Sequence, residues 1–257
     1  MIPTIHKHTL PTTILYCFLL LLFSCRSTNY LTSIEASKQN VSIEAAPTED
    51  AAINALIQPY KKKLDAQMNQ TIGHTTVDLK KKRPESTLGN WMTDAIQRQA
   101  EKQLGNPIAF AIQNQGGIRI SEISKGPISK GKIFELMPFD NVVVILSLDS
   151  TEVQELAQHI VQSGGWPISH SLKIKQDSTE NLEIFIHGKP LSKDVAYQIA
   201  LPDYVANGGS DSGFLKEKPQ QQLDLFIRDA LINDLEEFTA EGKVIESTIE
   251  GRLVLFH

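Results

Sequence analysis

The sequence predicts an α+β domain, with layered mixed sheets and flanking helices. Two observations carry this. Short apolar or β-branched runs, such as Ile108–Ile112 and Val142–Leu148, are interspersed with longer segments of helical period. Gly, Pro, Asn and Asp clusters punctuate the boundaries, and no internal repeat or long low-complexity stretch interrupts them. Strands and helices mixed in this order place sheets and helices in packed layers.

Residues 1–24 are expected to be a leader rather than part of that fold. A weakly basic start, with His6, Lys7 and His8, precedes an almost unbroken apolar run from Ile14 to Phe23. The run is too short to span a bilayer comfortably and fits a signal-peptide core. It ends in Leu22-Phe23-Ser24-Cys25, which resembles a bacterial lipoprotein processing site and marks Cys25 as the lipidated residue. The chain is therefore expected to be exported and lipid-anchored to the bacterial envelope. An ordinary secretory leader with a chance cysteine is the competing reading. The two cysteines, Cys17 and Cys25, both fall here, so the domain is expected to hold no disulfide and no thiol nucleophile. Residues 25–51, rich in Ser, Thr, Asn and Glu without a period, read as a tether. The domain proper is expected over 52–257.

Its elements follow in order. Ala52 to Tyr60 carries apolar residues at helical spacing that continue toward Met68, an amphipathic helix. Ile72 to Leu79 alternates as a strand. Ser86 or Thr87 caps a helix that runs to Leu104 and stops at Gly105 and Pro107. Ile108 to Ile112 suits a buried strand, with Gly116-Gly117 turning after it. Ile128 to Leu136 contains a helix start. Val142 to Leu148 is a strand. Ser150 or Thr151 caps a helix to Gln162, ended by Gly164-Gly165. Leu172–Lys175 and Leu182–Ile186 are paired strands, and Tyr197–Leu201 is another. Leu223 to Leu235 reads as a helix and Arg252–Leu255 as a final strand.

Composition excludes some functions. A net charge of −5 argues against a surface for a nucleic-acid polymer, which needs clustered Lys and Arg. The run Lys80-Lys81-Lys82-Arg83 reads mostly as solvated loop. Beyond the leader the histidines are scattered, with no Asp-x-His, His-x-His or His-Glu-x-x-His spacing for a metal. No Gly-x-Ser-x-Gly elbow and no phosphate loop ending in Gly-Lys-Ser/Thr occurs. The sequence therefore predicts no metal site and no catalytic residue in this chain.

The informative stretches are Asn114-Gln115-Gly116-Gly117-Ile118-Arg119, then Met137-Pro138-Phe139-Asp140-Asn141, then Tyr204-Val205-Ala206-Asn207-Gly208-Gly209. Paired glycines let a backbone approach a ligand closely. The Arg119 fork suits a carboxylate or phosphate. Together they suggest a site for something flat and anionic. With Glu85-Ser86-Thr87-Leu88-Gly89-Asn90, these segments resemble the C-terminal, substrate-binding domain of the 5′-nucleotidase family, from about Thr71 to the C-terminus.

The resemblance implies a division of labour. A metal-bearing domain hydrolyses; this domain binds the nucleoside part, its base sandwiched between Phe139 and Tyr204. Where the family has Phe, Tyr204 keeps the flat face and adds a hydroxyl. The resemblance places Arg119 at the phosphate or carboxylate-like edge of the substrate, and Asn114 and Asn141 in the site. Asp211 is implied to accept ribose hydroxyls, although Ser210 displaces it by one position from the usual Gly-Gly-Asp order. A family arginine falls on Arg83 or Lys82. A glycine against the base falls on Gly165 or Gly164, and Gly117 belongs to the first turn. The metal-bearing half has no counterpart in the sequence. The expectation is a nucleotide- or nucleoside-binding domain of a phosphohydrolase working with a separate metallophosphoesterase subunit, which carries the divalent metals. A non-catalytic nucleoside- or nucleotide-binding envelope lipoprotein is the alternative.

Overall fold

A computed structural model of the chain describes residues 50–256. The expected leader, Cys25 and nearly all of the expected tether lie outside the described residues. The described region is α+β. Helix α1 (Ala51–Met68) leads into strand β1 (Thr71–Thr75) and the short β2 (Leu79–Lys80). Helix α2 (Thr87–Leu104) follows, then β3 (Phe110–Ala111), β4 (Glu122–Ile123), β5 (Gly126–Ser129) and α3 (Lys130–Leu136). Next come β6 (Val142–Leu148), α4 (Ser150–Gln162), the hairpin β7 (Leu172–Gln176) and β8 (Leu182–Ile186), and β9 (Lys189–Pro190). The chain closes with β10 (Tyr197–Pro202), α5 (Asp203–Ala206), β11 (Gln220–Phe226), α6 (Ile227–Ala240) and β12 (Leu253–Val254).

The central sheet has the order β11-β6-β10-β3. Strands β11 and β10 flank β6 antiparallel, and β3 joins β10 in parallel. Both faces are covered. Val143 and Ile145 of β6 belong to one core with Met92, Ile96 and Leu231 of α2 and α6. Val144, Leu146 and Leu148 belong to a second core with Val153, Leu156 and Ile160 of α4. A stretch buried on both faces is apolar at successive positions, which is why Val142–Leu146 reads as a hydrophobic run, broken only at the exposed Ser147. A second sheet, β12-β7-β8-β9, adds Ile174, Ile184 and Ile186 to the α4 side.

Local chemistry accounts for the helix ends. The Ser86 side chain accepts from the Gly89 backbone N–H and starts α2, and Gly105, at φ 70°, ends it in the left-handed region. Helix α4 departs from expectation. Its cap is Asp149, which accepts from Glu152 N–H while the Glu152 carboxylate accepts from Asp149 N–H. The reciprocal box satisfies two end donors.

Two further expectations are corrected. Residues 220–226 form a strand rather than the start of a helix: Leu223 and Leu225 alternate inward against β6, and α6 starts only at Ile227. The segment before α3 is strand β5, paired antiparallel with β1. Helix α1 runs through Pro59 and has no buried residue. Its apolar residues Leu56, Ile57, Tyr60 and Leu64 stay exposed.

Candidate functional site

Sheet topology gathers the three motif loops. Strand β3 runs parallel to β10, so the loop at 113–117 leaves the same sheet end as the loop at 203–211. Strand β6 is antiparallel to β10, with Val143 opposite Pro202, so the loop at 137–141 enters at that end too. Ends of parallel strands beside a reversal of direction are where α/β sheets place ligands.

Hydrogen bonds join these loops. One carboxylate oxygen of Asp203 accepts from Asn141 Nδ2 at 2.8 Å and from the Tyr204 backbone N–H at 2.8 Å. This ties the Phe139 loop to the Tyr204 loop. Both rings stand out from the core, Phe139 40% exposed and Tyr204 50% exposed. The Arg119 guanidinium carbon lies 5.5 Å from the centre of the Phe139 ring, a cation–π contact. The Tyr204 ring rests on Gly209, where an added Cβ would come within 2.4 Å of ring carbons.

The loop after Tyr204 is held in a costly shape. Ser210 and Asp211 have φ 57° and 62°, left-handed values for residues with a Cβ. Three contacts hold it there. The Ser212 hydroxyl lies 2.6 Å from the Val205 carbonyl and 2.7 Å from the Gly209 carbonyl. Asn114 Nδ2 donates to Ser210 Oγ at 2.9 Å. His159 Nε2–H donates to the Ser210 carbonyl at 3.0 Å, since a carbonyl only accepts. The imidazole is itself packed edge-on between Trp166 and Phe214. Asp211 then sits exposed at the loop tip.

Asn114 is buried, and its amide joins the first glycine loop to the second: Oδ1 accepts from Gln113 Nε2 at 3.1 Å while Nδ2 reaches Ser210. A Cβ at Gly117 would meet Gln113 Nε2 at 2.0 Å, so glycine is needed there for Gln113 to pack. Gln115 Nε2 donates to Lys82 O and Gly165 O, each at 3.3 Å. The Oε1 atoms of Gln113 and Gln115 are buried without a hydrogen-bond partner among the described residues. Gly165, at φ 99°, lies against the Pro84 backbone, 2.5 Å from its carbonyl if a Cβ were added. Arg83 Nη1 donates to the Ser163 carbonyl and, at 3.3 Å, to that of Gly165. The 83–84 segment, the Gly164-Gly165 turn and the first glycine loop are thus one contiguous wall.

Cations line this wall. Lys81 Nζ donates to Ile118 O at 2.8 Å, beside Arg119. Partial burial, then the positive charges of Arg119 and Arg83, hold the Lys81 ammonium below the ordinary lysine range. Arg119 Nη1 reaches Gly116 O at 3.4 Å.

Sequence reasoning singled out Phe139, Asn141, Tyr204, Asn114, Gly117, Arg119, Arg83, Gly165 and Asp211. The first four lie in loops joined directly by side-chain bonds, and Arg119 touches Phe139. Arg83 and Gly165 form the adjoining wall, Gly117 packs beneath the first loop, and Asp211 is set apart on the strained tip. It missed Asp203, His159, Gln113 and Lys81. Asp203 carried one signal, an acid at the first position of a short helix next to Tyr204. The other three carried none, because their roles depend on what the fold brings opposite them.

Among the described residues no three His, Cys, Asp or Glu side chains converge as ligands. His159 is committed to Ser210 and its ring neighbours, and His170 to Asp94.

Comparisons with known proteins agree with this architecture. The family model described as "5′-nucleotidase, C-terminal domain" matches residues 71–217, more than half of the chain. The 5′-nucleotidase of Vibrio vulnificus (strain CMCP6) is 24% identical over 82% of this chain and 40% of its own length. That of Rattus norvegicus is 27% identical over 80% of this chain and 40% of its own. The crystal structure of the 5′-nucleotidase precursor from Thermus thermophilus superposes with a TM-score of 0.67 at 28% identity, covering 82% of this chain and 44% of that one. The chain spans about 40% of the length of these curated relatives. The chain therefore belongs to the 5′-nucleotidase C-terminal domain family.

Proposed function

We propose that this chain is the nucleotide-binding part of a 5′-nucleotidase-type phosphohydrolase, and that the water-activating metal centre is supplied by a separate metallophosphoesterase subunit. The observation that carries the reading is the Asn141–Asp203–Tyr204 bridge. It couples two half-exposed aromatic rings at the sheet end where Arg119 and the glycine loops also lie. In this reading a base stacks between Phe139 and Tyr204, as every base offers a π-face. Arg119 and Arg83 face the anionic part of the ligand, and Asp211 presents its carboxylate to ribose hydroxyls. Binding and orientation are what such a domain contributes; the bond is broken by groups it does not itself hold.

Calorimetry with adenosine and AMP tests the pocket. Tyr204→Ala is expected to cost about 1–3 kcal/mol of binding, the usual worth of one stacked base. Unchanged affinity in that variant removes the sandwich. Phosphate release from AMP with Mg2+ or Mn2+ tests the division of labour, with the purified chain expected to be inactive alone. Robust metal-dependent release by the chain by itself contradicts it.

The proposal includes export and lipid attachment at Cys25. Among the described residues no helix is long and apolar enough to cross a membrane. Cys25→Ser is expected to move the protein from the membrane to the soluble fraction. An unchanged membrane fraction would dismiss the anchor.

A further inference from the structure

The run Lys80-Lys81-Lys82-Arg83 is four successive cations, yet the fold treats them differently. Lys80 is neutralised: its ammonium lies 3.5 Å from Asp78 and 3.7 Å from Glu122. Lys81 points elsewhere. Its backbone N–H donates to Ser121 O at 2.8 Å, continuing the β2–β4 ladder, so its side chain leaves on the opposite side from that of Lys80. It is partly buried, and its Nζ reaches the Ile118 carbonyl next to Arg119. Two residues on, Arg83 reaches the Gly164-Gly165 turn.

Among the described residues no carboxylate lies within ion-pair distance of Lys81, Arg83 or Arg119. This is unusual placement in a chain whose acids outnumber its bases, 30 to 25. Three cations brought together without an acid repel one another, and burial of one adds to the cost. An anion that binds among them removes both penalties. The Phe139 ring, in contact with Arg119, joins this cluster to the aromatic end of the site.

We propose that Lys81 is a specificity-determining residue of the ligand site: its ammonium selects phosphorylated nucleotides over uncharged nucleosides. The inference rests on the nucleotide-binding reading above and narrows it to the anionic substrate class. Arg119 and Arg83 can each grip a phosphate as a fork, while Lys81 adds a point charge whose contribution grows with the ligand's charge.

The experiment is calorimetry of the full chain with adenosine, AMP and ADP. It compares wild type, Lys81→Gln, Lys81→Arg and, as a control within the same run, the already paired Lys80→Gln. Lys81→Gln is expected to weaken AMP about ten-fold or more, the scale of a lost charge-assisted bond, and ADP by a larger factor. Adenosine should stay within about two-fold. Lys81→Arg should restore most of the preference, and Lys80→Gln should leave all three ligands as in wild type. If Lys81→Gln weakens adenosine as much as AMP, or weakens AMP no more than Lys80→Gln does, the assignment of Lys81 is overturned while the pocket stands. If wild type binds none of the three ligands, the pocket and the assignment fall together.

Discussion

Gly209 shows how a single atom sets the geometry of the site. Its Cα lies so close to the Tyr204 ring that a methyl group there would overlap three ring carbons. Its φ is not in the left-handed region, so alanine is acceptable to the backbone itself. Gly209→Ala is therefore expected to leave the melting temperature nearly unchanged while displacing the ring and weakening adenosine about ten-fold, toward the effect of Tyr204→Ala. Wild-type affinity in this variant would mean the ring's seat on Gly209 is irrelevant to binding. Residues of this kind were partly legible. The glycine pair and the aromatics announced a close approach, since few other demands place Gly-Gly beside an exposed ring. Asp203 was not legible as the joint, because nothing in a linear sequence shows that Asn141 lies 2.8 Å from it.

At the scale of elements, the C-terminal strand is fastened by a buried ion pair. Arg252, 4% exposed, donates from Nη1 and Nη2 to the two oxygens of Asp94 on α2, each at 2.7 Å, and from Nη1 to Ile168 O at 3.1 Å. Glu85 accepts from the backbone N–H groups of Glu250 and Arg252 and from Asn90 Nδ2. Leu253 reaches Gly165, so this fastening backs the wall that Arg83 lines. Arg252→Ala leaves a largely buried carboxylate without its arginine partner and is expected to destabilise by about 3–5 kcal/mol, read as a fall in denaturation midpoint. A loss under about 1 kcal/mol would show the pair to be incidental.

Asp94 also carries a pH signature, through His170. The hydrogen bond to Asp94 raises His170 above the ordinary histidine range, against an opposing effect of burial. Burial alone would raise Asp94, but hydrogen bonds from His170 and Arg252 outweigh it and hold the carboxyl low. The raised histidine stabilises the fold below its unfolded value of about 6.5 and loses that contribution as pH rises through its folded value. The lowered aspartate stabilises above its unfolded value of about 3.9 and loses that contribution as pH falls through its folded value. The pair is thus most stabilising between about pH 4 and 6.5. His170→Ala should flatten the decline in stability from about pH 6 to 8; an unaltered slope there would show that the histidine does not contribute. Element boundaries followed how local their causes are. The start of α2 at Ser86 or Thr87 and its stop at Gly105 were legible, being decided within four residues. Residues 223–226 were misread because Leu223 and Leu225 fit both a strand and the front of the helix that follows. Pairing with β6 decided between them.

At the scale of the whole molecule, stability lies in the central sheet and its two cores, and α1 stands outside both. No residue of α1 is buried, and at its end Met68 faces Gly131 of α3. Deleting residues 51–66 is expected to shift the melting temperature by no more than about 2–4 °C, the effect of roughly 1 kcal/mol in a domain of this size. A collapse of the cooperative transition would mean that α1 belongs to the core. The architecture also explains which large features could be read in advance. Val142–Leu146 and Ile108–Ile112 are apolar at successive positions because both faces of their sheet are covered, so the layered α+β class was visible as composition.

What the sequence alone determined is therefore what depends on neighbouring residues: the main strands, the start and stop of α2, the glycine turns, and the motif set that places the chain in its family. Tertiary structure decided the rest. Parallel pairing of β3 with β10 and antiparallel pairing of β10 with β6 bring three loops, far apart along the chain, to one sheet end. Only there do Asp203 and His159 acquire partners. The physical reason is that hydrogen bonds and charge–charge interactions act over a few ångströms of space, and the distance between residues along a chain does not fix that spacing.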